Sequence, residues 1–227
     1  MPDLHLTFAP YVHHIFVDRE AVILDERNDA YVLLDIDDSA LLKHALTTAR
    51  VSPLVMELYR AGILECAAQP ASVREFSPTI GIYGVGNHQW RHTPLHEVTT
   101  WKPASLFRSA CALSASVMRL RRRGLHEALN AVRHARSTDI AAGYDWREIE
   151  RLASEIKWYA RRSFASAACL EFSLAMHRRL CDNGVHCTFN IGVQKYDFVA
   201  HAWIEVDGRV VADSPDLPAR MPRILQI

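Results

Sequence analysis

Between Val12 and Leu34 the chain sets short β-branched and aliphatic runs against acidic, polar interruptions. Val12 to Val17, Ala21 to Asp25 and Ala30 to Leu34 carry strand-favouring residues, separated by Asp18-Arg19-Glu20 and by Glu26 to Asp29. The period then changes. Leu41, Leu42, Ala45 and Leu46 fall at three- and four-residue spacing and predict a helix capped by Asp37 or Asp38 and ending near Thr47. A second helix is expected from Ser52-Pro53, carrying Leu54, Val55 and Leu58 and stopping at Gly62. Residues 67–86 are rich in Ala, Ser, Pro and Gly and read as a linker. Helical spacing returns over Ala104 to Arg123, Leu125 to Arg136 and Asp145 to Ser163, where Ile149, Leu152, Ile156 and Tyr159 mark a buried stripe.

The last third switches once more from helix to strand. Ser166 is placed to cap a helix running from Ala167 to about Asp182 and stopped by Asn183-Gly184, with Cys169 in its first turn. Free amides and the helix dipole at that end favour the thiolate. Two alternating stretches follow, Cys187 to Val193 and Ala200 to Val206, and Asp207-Gly208 turns the chain into Arg209 to Asp213. The order Cys169, His201, Asp213 is that of a thiol acyl-transfer triad: nucleophile, base and the group that orients the imidazole. Cys169 alone could equally be a small buried hydrophobe. Its partners on one hairpin favour chemistry.

The turn decides whether that triad can close. With two residues in the turn, Val206 faces Arg209, His201 pairs with Ser214, and Asp213 points to the opposite face. With a three-residue loop and a bulge at Gly208, His201 falls opposite Asp213. The triad therefore predicts the bulged turn.

Composition narrows the class without naming it. Charged residues make up 23% and hydrophobic residues 49%, as in ordinary globular proteins. Five cysteines without framework spacing point to free thiols in a reducing compartment. Cys66, Cys111, Cys181 and Cys187 are read as buried packing residues, and Trp203 as packing beside the site. His177 and Cys181 stand four apart, with His186-Cys187 following, but no paired Cys-x-x-Cys or His-x-x-x-His supports zinc, and no metal is expected. Neither a signal peptide nor a bilayer-spanning stretch is evident; Ser105 to Leu120 is too short and interrupted, so a cytoplasmic protein without membrane contact is expected. Residues 1–80 hold six Lys/Arg against twelve Asp/Glu, while the remainder is basic, which suggests two units. Arg119 and Arg121 to Arg123 end a helix at Gly124, where cations are favourable, so nucleic-acid binding is not inferred.

Several short motifs recur in a known order. Cys169-Leu170-Glu171-Phe172-Ser173-Leu174-Ala175, Asn190-Ile191-Gly192-Val193, Phe198-Val199-Ala200-His201-Ala202-Trp203-Ile204-Glu205 and Val210-Val211-Ala212-Asp213 resemble the leader peptidases of lasso-peptide biosynthesis. Arg121-Arg122-Arg123-Gly124-Leu125 and the helix containing Trp146 fit the same family's helical lead-in. Residues 10–65 resemble, more loosely, the peptide-recognition element that accompanies such proteases and is shared with the carrier protein of pyrroloquinoline quinone biosynthesis.

The resemblance implies an α+β protein. A winged-helix-like recognition module (1–70) would be followed by a linker (71–102) and a transglutaminase-like, papain-related cysteine protease domain (103–227). It implies leader binding by strand addition at Tyr31, Val32, Leu33 and Leu34, beside a helix presenting Leu54 and Leu58. It implies removal of the leader from a ribosomally made precursor peptide, typically after the leader's penultimate threonine. The freed amine would then pass to a separate asparagine-synthetase-like lasso cyclase. Gly81 to Gly86 lacks the lysine and following helix of a phosphate loop, so no cofactor is expected here and any ATP requirement is assigned to the cyclase. Two other functions use the same residues: acyl transfer to an amine, as in transglutaminases, and leader binding by an inert scaffold.

Overall fold

The computed structural model describes residues 5–48, 51–77, 102–135, 144–162 and 167–227, and is α+β. The chain divides into two compact units, residues 1–83 with 195–198, and residues 84–194 with 199–227. The expected linker is partly structured, with a short strand inside it; residues 78–101, including Gly81 to Gly86, lie outside the described residues.

Among the described residues the first unit contains the three expected strands and three more. β1 (His5–Phe8) pairs antiparallel with β5 (Leu64–Ala67). β2 (Val12–Val17), β3 (Glu20–Asp25), β4 (Ala30–Leu33) and β6 (Glu75–Phe76) form a sheet in the order β4-β3-β2-β6. A two-residue turn at Asp18-Arg19, both with positive φ, joins β2 to β3 and matches strand twist. The Asp25 carboxylate accepts from the amides of Arg27 and Asn28 and turns β3 toward β4.

Helix α1 (Ile36–Thr48) is capped by Asp35, which accepts from the Asp38 amide at 2.8 Å. Asp37 and Asp38, expected as caps, instead sit in the first turn, where their charge still favours the helix dipole. Helix α2 (Pro53–Arg60) is capped by Ser52. Phe16, Ile23, Leu42, Leu46, Val55 and Leu64 form part of the core that these helices close over β1 and β3.

Among the described residues the second unit sets three long helices against one antiparallel sheet. α3 (Pro103–His134) is broken at Gly124, whose φ of 76° ends the first helical segment after the arginine cluster. Sequence spacing had anticipated two helices there. α4 (Trp146–Arg162) and α5 (Cys169–Cys181) follow. The sheet runs β10-β7-β8-β9, from β7 (Thr188–Gln194), β8 (Val199–Val206), β9 (Arg209–Val210) and β10 (Arg223–Gln226), with the short α6 (Leu217–Arg220) before β10. α5 packs against α3 and α4 on one side and β7 and β8 on the other. Among the described residues no helix is long and apolar enough to cross a membrane.

Polar groups tie the three helices together inside the unit. Glu155 on α4 is fully buried and accepts from Ser105 (2.9 Å) and Ser109 (2.8 Å) of α3, and it pairs with Arg151. Arg179 of α5 donates to the same two serines. Each buried charge therefore has partners, as burial demands.

Candidate active site

Cys169 is the first residue of α5. Ser166, its expected cap, lies outside the described residues; the N-cap position is Ala168, whose amide donates to the Glu171 carboxylate at 2.8 Å. That bond settles one amide of the first turn and leaves Cys169 at the positive end of the helix. One turn on, the buried Ser173 hydroxyl donates to the Ala202 carbonyl at 2.9 Å. It fastens the start of α5 to β8 beside His201.

His201 is buried, and its Nε2 lies 2.8 Å from Asp213 Oδ2. A second carboxylate oxygen of Asp213 accepts from the Ser214 amide, which fixes its plane. With Nε2 engaged, Nδ1 is the nitrogen available to the thiol. Burial opposes ionisation of both Cys169 and His201, but their contacts with each other and with their neighbours outweigh it. For Cys169, burial pushes the thiol up, while the hydrogen bond and charge of His201 and the Ala202 amide bring it below its ordinary value. For His201, burial pulls down, whereas the hydrogen bonds it donates to Asp213 and Cys169 raise it to about 9. Each group therefore favours the charged form of the other, thiolate beside imidazolium.

The structure brings Asp213 to His201 by a different route from the bulge at Gly208. Val206 pairs with Arg209, and Asp207 and Gly208 both have positive φ, so the turn has two residues and no bulge. That register alone would aim Asp213 away. Instead β9 ends at Val210, Val211 makes one more bond to Ile204, and Ala212 then adopts a φ of 59°. This left-handed residue, rare without glycine, turns Asp213 back onto the face of His201.

The kink is held from α4. Lys157, 2% exposed, donates its ammonium to the Ala212 carbonyl at 2.6 Å. Burial lowers its pKa to about 8 despite the nearby Asp213 charge. Closer to the start of α4, Arg209 lies over the Trp146 ring at 4.1 Å, and Tyr144 donates to Asp207. The helix thus grips the turn and the kink. Sequence reading took α4 as core only; a lysine on the buried stripe, two positions before Tyr159, was the signal. Lys157→Met is expected to let Ala212 relax, release Asp213 and lower turnover roughly 10- to 100-fold. Adding Ala212→Gly, which tolerates positive φ, is expected to recover part of the loss. Equal activity of Lys157→Met and wild type would rule out this positioning role.

Trp203 is buried beside the site and runs nearly parallel to the His201 ring. Its indole donates to Glu205, which also accepts from Arg223. Gly192, opposite His201 on β7, makes room for it: an added Cβ would stand 2.7 Å from the indole.

The proposed leader-binding residues divide. β4 is an edge strand of its sheet, paired to β3 through Tyr31, Val32 and Leu33, with Leu33 exposed. Leu34 and Leu58 do not line an open groove; both are buried in the core of the first unit, and Val32 and Leu54 pack partly against it. α2 packs on α1 and β5, which is why Leu58 points inward. The cysteine expectations also change: all five are free, but Cys66 and Cys111 are exposed, Cys181 is half-buried and Cys187 buried. A cavity of about 730 Å³ between α3 and α5, lined by Phe107, Val132, Leu174 and His177, includes none of the three triad candidates.

A family model described as the transglutaminase-like superfamily matches residues 110–226, just over half of the chain and the whole of this site. The chain belongs to the transglutaminase-like superfamily. Members of this superfamily are typically cysteine-dependent enzymes. Over 59 residues the chain is also 34% identical to the Microcin J25-processing protein McjB of Escherichia coli, covering 26% of this chain and 28% of that protein. The match therefore spans little more than a quarter of that curated relative's length. No solved structure matches significantly.

Proposed function

We propose that this protein is a cysteine peptidase that removes the leader from a ribosomally made lasso-peptide precursor. The observation that carries the reading is the His201–Asp213 hydrogen bond beside a thiol whose ionisation His201 favours. In the proposed reaction the Cys169 thiolate attacks the scissile carbonyl, and its own backbone amide at the helix start donates to the oxyanion. His201 gives its Nδ1 proton to the departing amine, leaving a thioester. Water then attacks as His201 takes its proton, freeing the leader's carboxylate and regenerating the thiol. The released core amine would serve a separate cyclase. The likeness to a microcin-processing protein supports this substrate class.

Incubating the purified protein with its precursor tests the reading by mass spectrometry. Hydrolysis yields a leader ending in a free carboxylate, also in the presence of a primary-amine probe. A leader recovered as the amide of that probe would establish acyl transfer instead, and an intact precursor would reject both.

The edge position of β4 supports recognition by strand addition in the first unit. Val32→Pro is expected to weaken leader binding by about tenfold, or 1.4 kcal/mol. It should raise KM more than it lowers kcat, because the triad belongs to the other unit. Unchanged binding of a labelled leader to the full-length variant would locate recognition elsewhere.

A further inference from the structure

We propose that His177, Cys181 and Cys187 form a binding site for a thiophilic divalent cation, with zinc the best match. The donor atoms of these three side chains lie within 4.8 Å of one another. Both ring nitrogens of His177 are 3.8 Å from Cys181 Sγ. Zinc takes sulfur at about 2.3 Å and imidazole nitrogen at about 2.0 Å, which places tetrahedral donors roughly 3.5–3.8 Å apart. The three side chains need only a small contraction to reach that spacing.

The site is built by backbone that does not depend on a metal. His177 and Cys181 lie one turn apart on a single face of α5. Past the helix end, the amide of Gly184 bonds to the Cys181 carbonyl, and that of Val185 to the Leu180 carbonyl. Gly184, with a φ of 72°, reverses the chain and delivers Cys187 to the same place just before β7. Phe189 stands edge-on to the imidazole, at 6.5 Å and 85°, and limits its rotation. His177 and Cys187 are buried, so these two donors are shielded, while half-exposed Cys181 leaves an open side.

Two sulfurs and one imidazole are a soft donor set that discriminates against magnesium and calcium. The cavity between α3 and α5, which His177 lines, provides an entry path. The Cys181 thiol donates to the Ala135 carbonyl just past the end of α3, a bond that metal binding would exchange for coordination. The site is separate from the proposed nucleophile: Cys169 opens α5 and Cys181 closes it, about 18 Å away along the axis. Its role would be to pin the C-terminal end of α5 to the start of β7.

The test uses full-length, tag-free protein purified under reducing conditions from zinc-supplemented cells. About one zinc per chain is expected by elemental analysis. After chelation, cobalt titration should give a thiolate-to-cobalt charge-transfer band and the visible bands of tetrahedral cobalt, saturating at about one equivalent. Cys187→Ser should lose both signals and Cys169→Ala should keep them. The cobalt spectrum of the wild type stands even if Cys187→Ser fails to fold. Folded wild type that takes up neither metal, or that yields only a Cys181–Cys187 disulfide, would overturn the proposal, as would Cys169→Ala losing the metal.

Discussion

Cys169→Ala is expected to abolish leader removal, lowering turnover roughly 10⁴-fold or more while leaving leader binding intact. The methyl group fits a helix start and removes only the nucleophile. His201→Ala should be about as damaging, since the thiol loses its proton partner and the leaving amine its acid. Asp213→Asn should retain measurable activity, because the imidazole remains but is held less well. The pH profile distinguishes these roles. Thiolate and imidazolium coexist above the lowered titration of Cys169 and below that of His201 at about 9. Activity should fall as acid protonates the thiolate and again as alkali deprotonates the imidazolium. In His201→Ala, burial is no longer opposed by the imidazolium, so alkylation of Cys169 should shift to higher pH. Precursor cleavage by purified Cys169→Ala protein would reject the assignment.

The largest effect on stability is expected at Glu155, remote from the reaction. Glu155→Ala would leave buried Arg179 without the carboxylate charge beside it and Arg151 with Glu148 as its remaining partner, and would strip both serines of their acceptor. Breaking a buried pair in this way costs about 3–5 kcal/mol. Glu155→Gln should cost less, since its oxygen still accepts from a serine. Replacing Arg151, Glu155 and Arg179 together by methionine should recover much of the loss, because no charge is then stranded. Urea denaturation of the four proteins measures this. A Glu155→Ala protein as stable as wild type would mean that the network contributes nothing net.

Much of the architecture was legible because local chemistry and tertiary context agree. Ser52-Pro53 starts α2, Gly62 and Gly184 follow helix ends with positive φ, and Gly124 breaks α3 after its arginines. The period-two runs around Val12, Ile23 and Ile191 became strands. Shorter strands escaped. β1 and β6 are four and two residues long, and their pairing partners lie far away in the chain, so no local periodicity announces them. Leu58 carries the same apolar signal whether it lines a groove or fills a core. Only the packing of α2 on α1 and β5 chose the core.

The sequence by itself determined the order of the candidate residues: a cysteine opening a helix, a histidine on the first arm of a hairpin, and an aspartate just past the end of the second. These placements follow from caps, turns and alternation, which act within a few residues. It could not determine how Asp213 faces His201. The Asp207-Gly208 turn sets a register that would separate them, and the correction comes from Ala212, a residue with no intrinsic preference for positive φ. What holds that conformation is the ammonium of Lys157, fifty-five positions earlier and on another element. The same holds for His177, Cys181 and Cys187, whose spacing resembles no metal motif until the helix end folds back. Tertiary structure decided both, because a long-range contact can stabilise a backbone state or a side-chain cluster that no local preference selects.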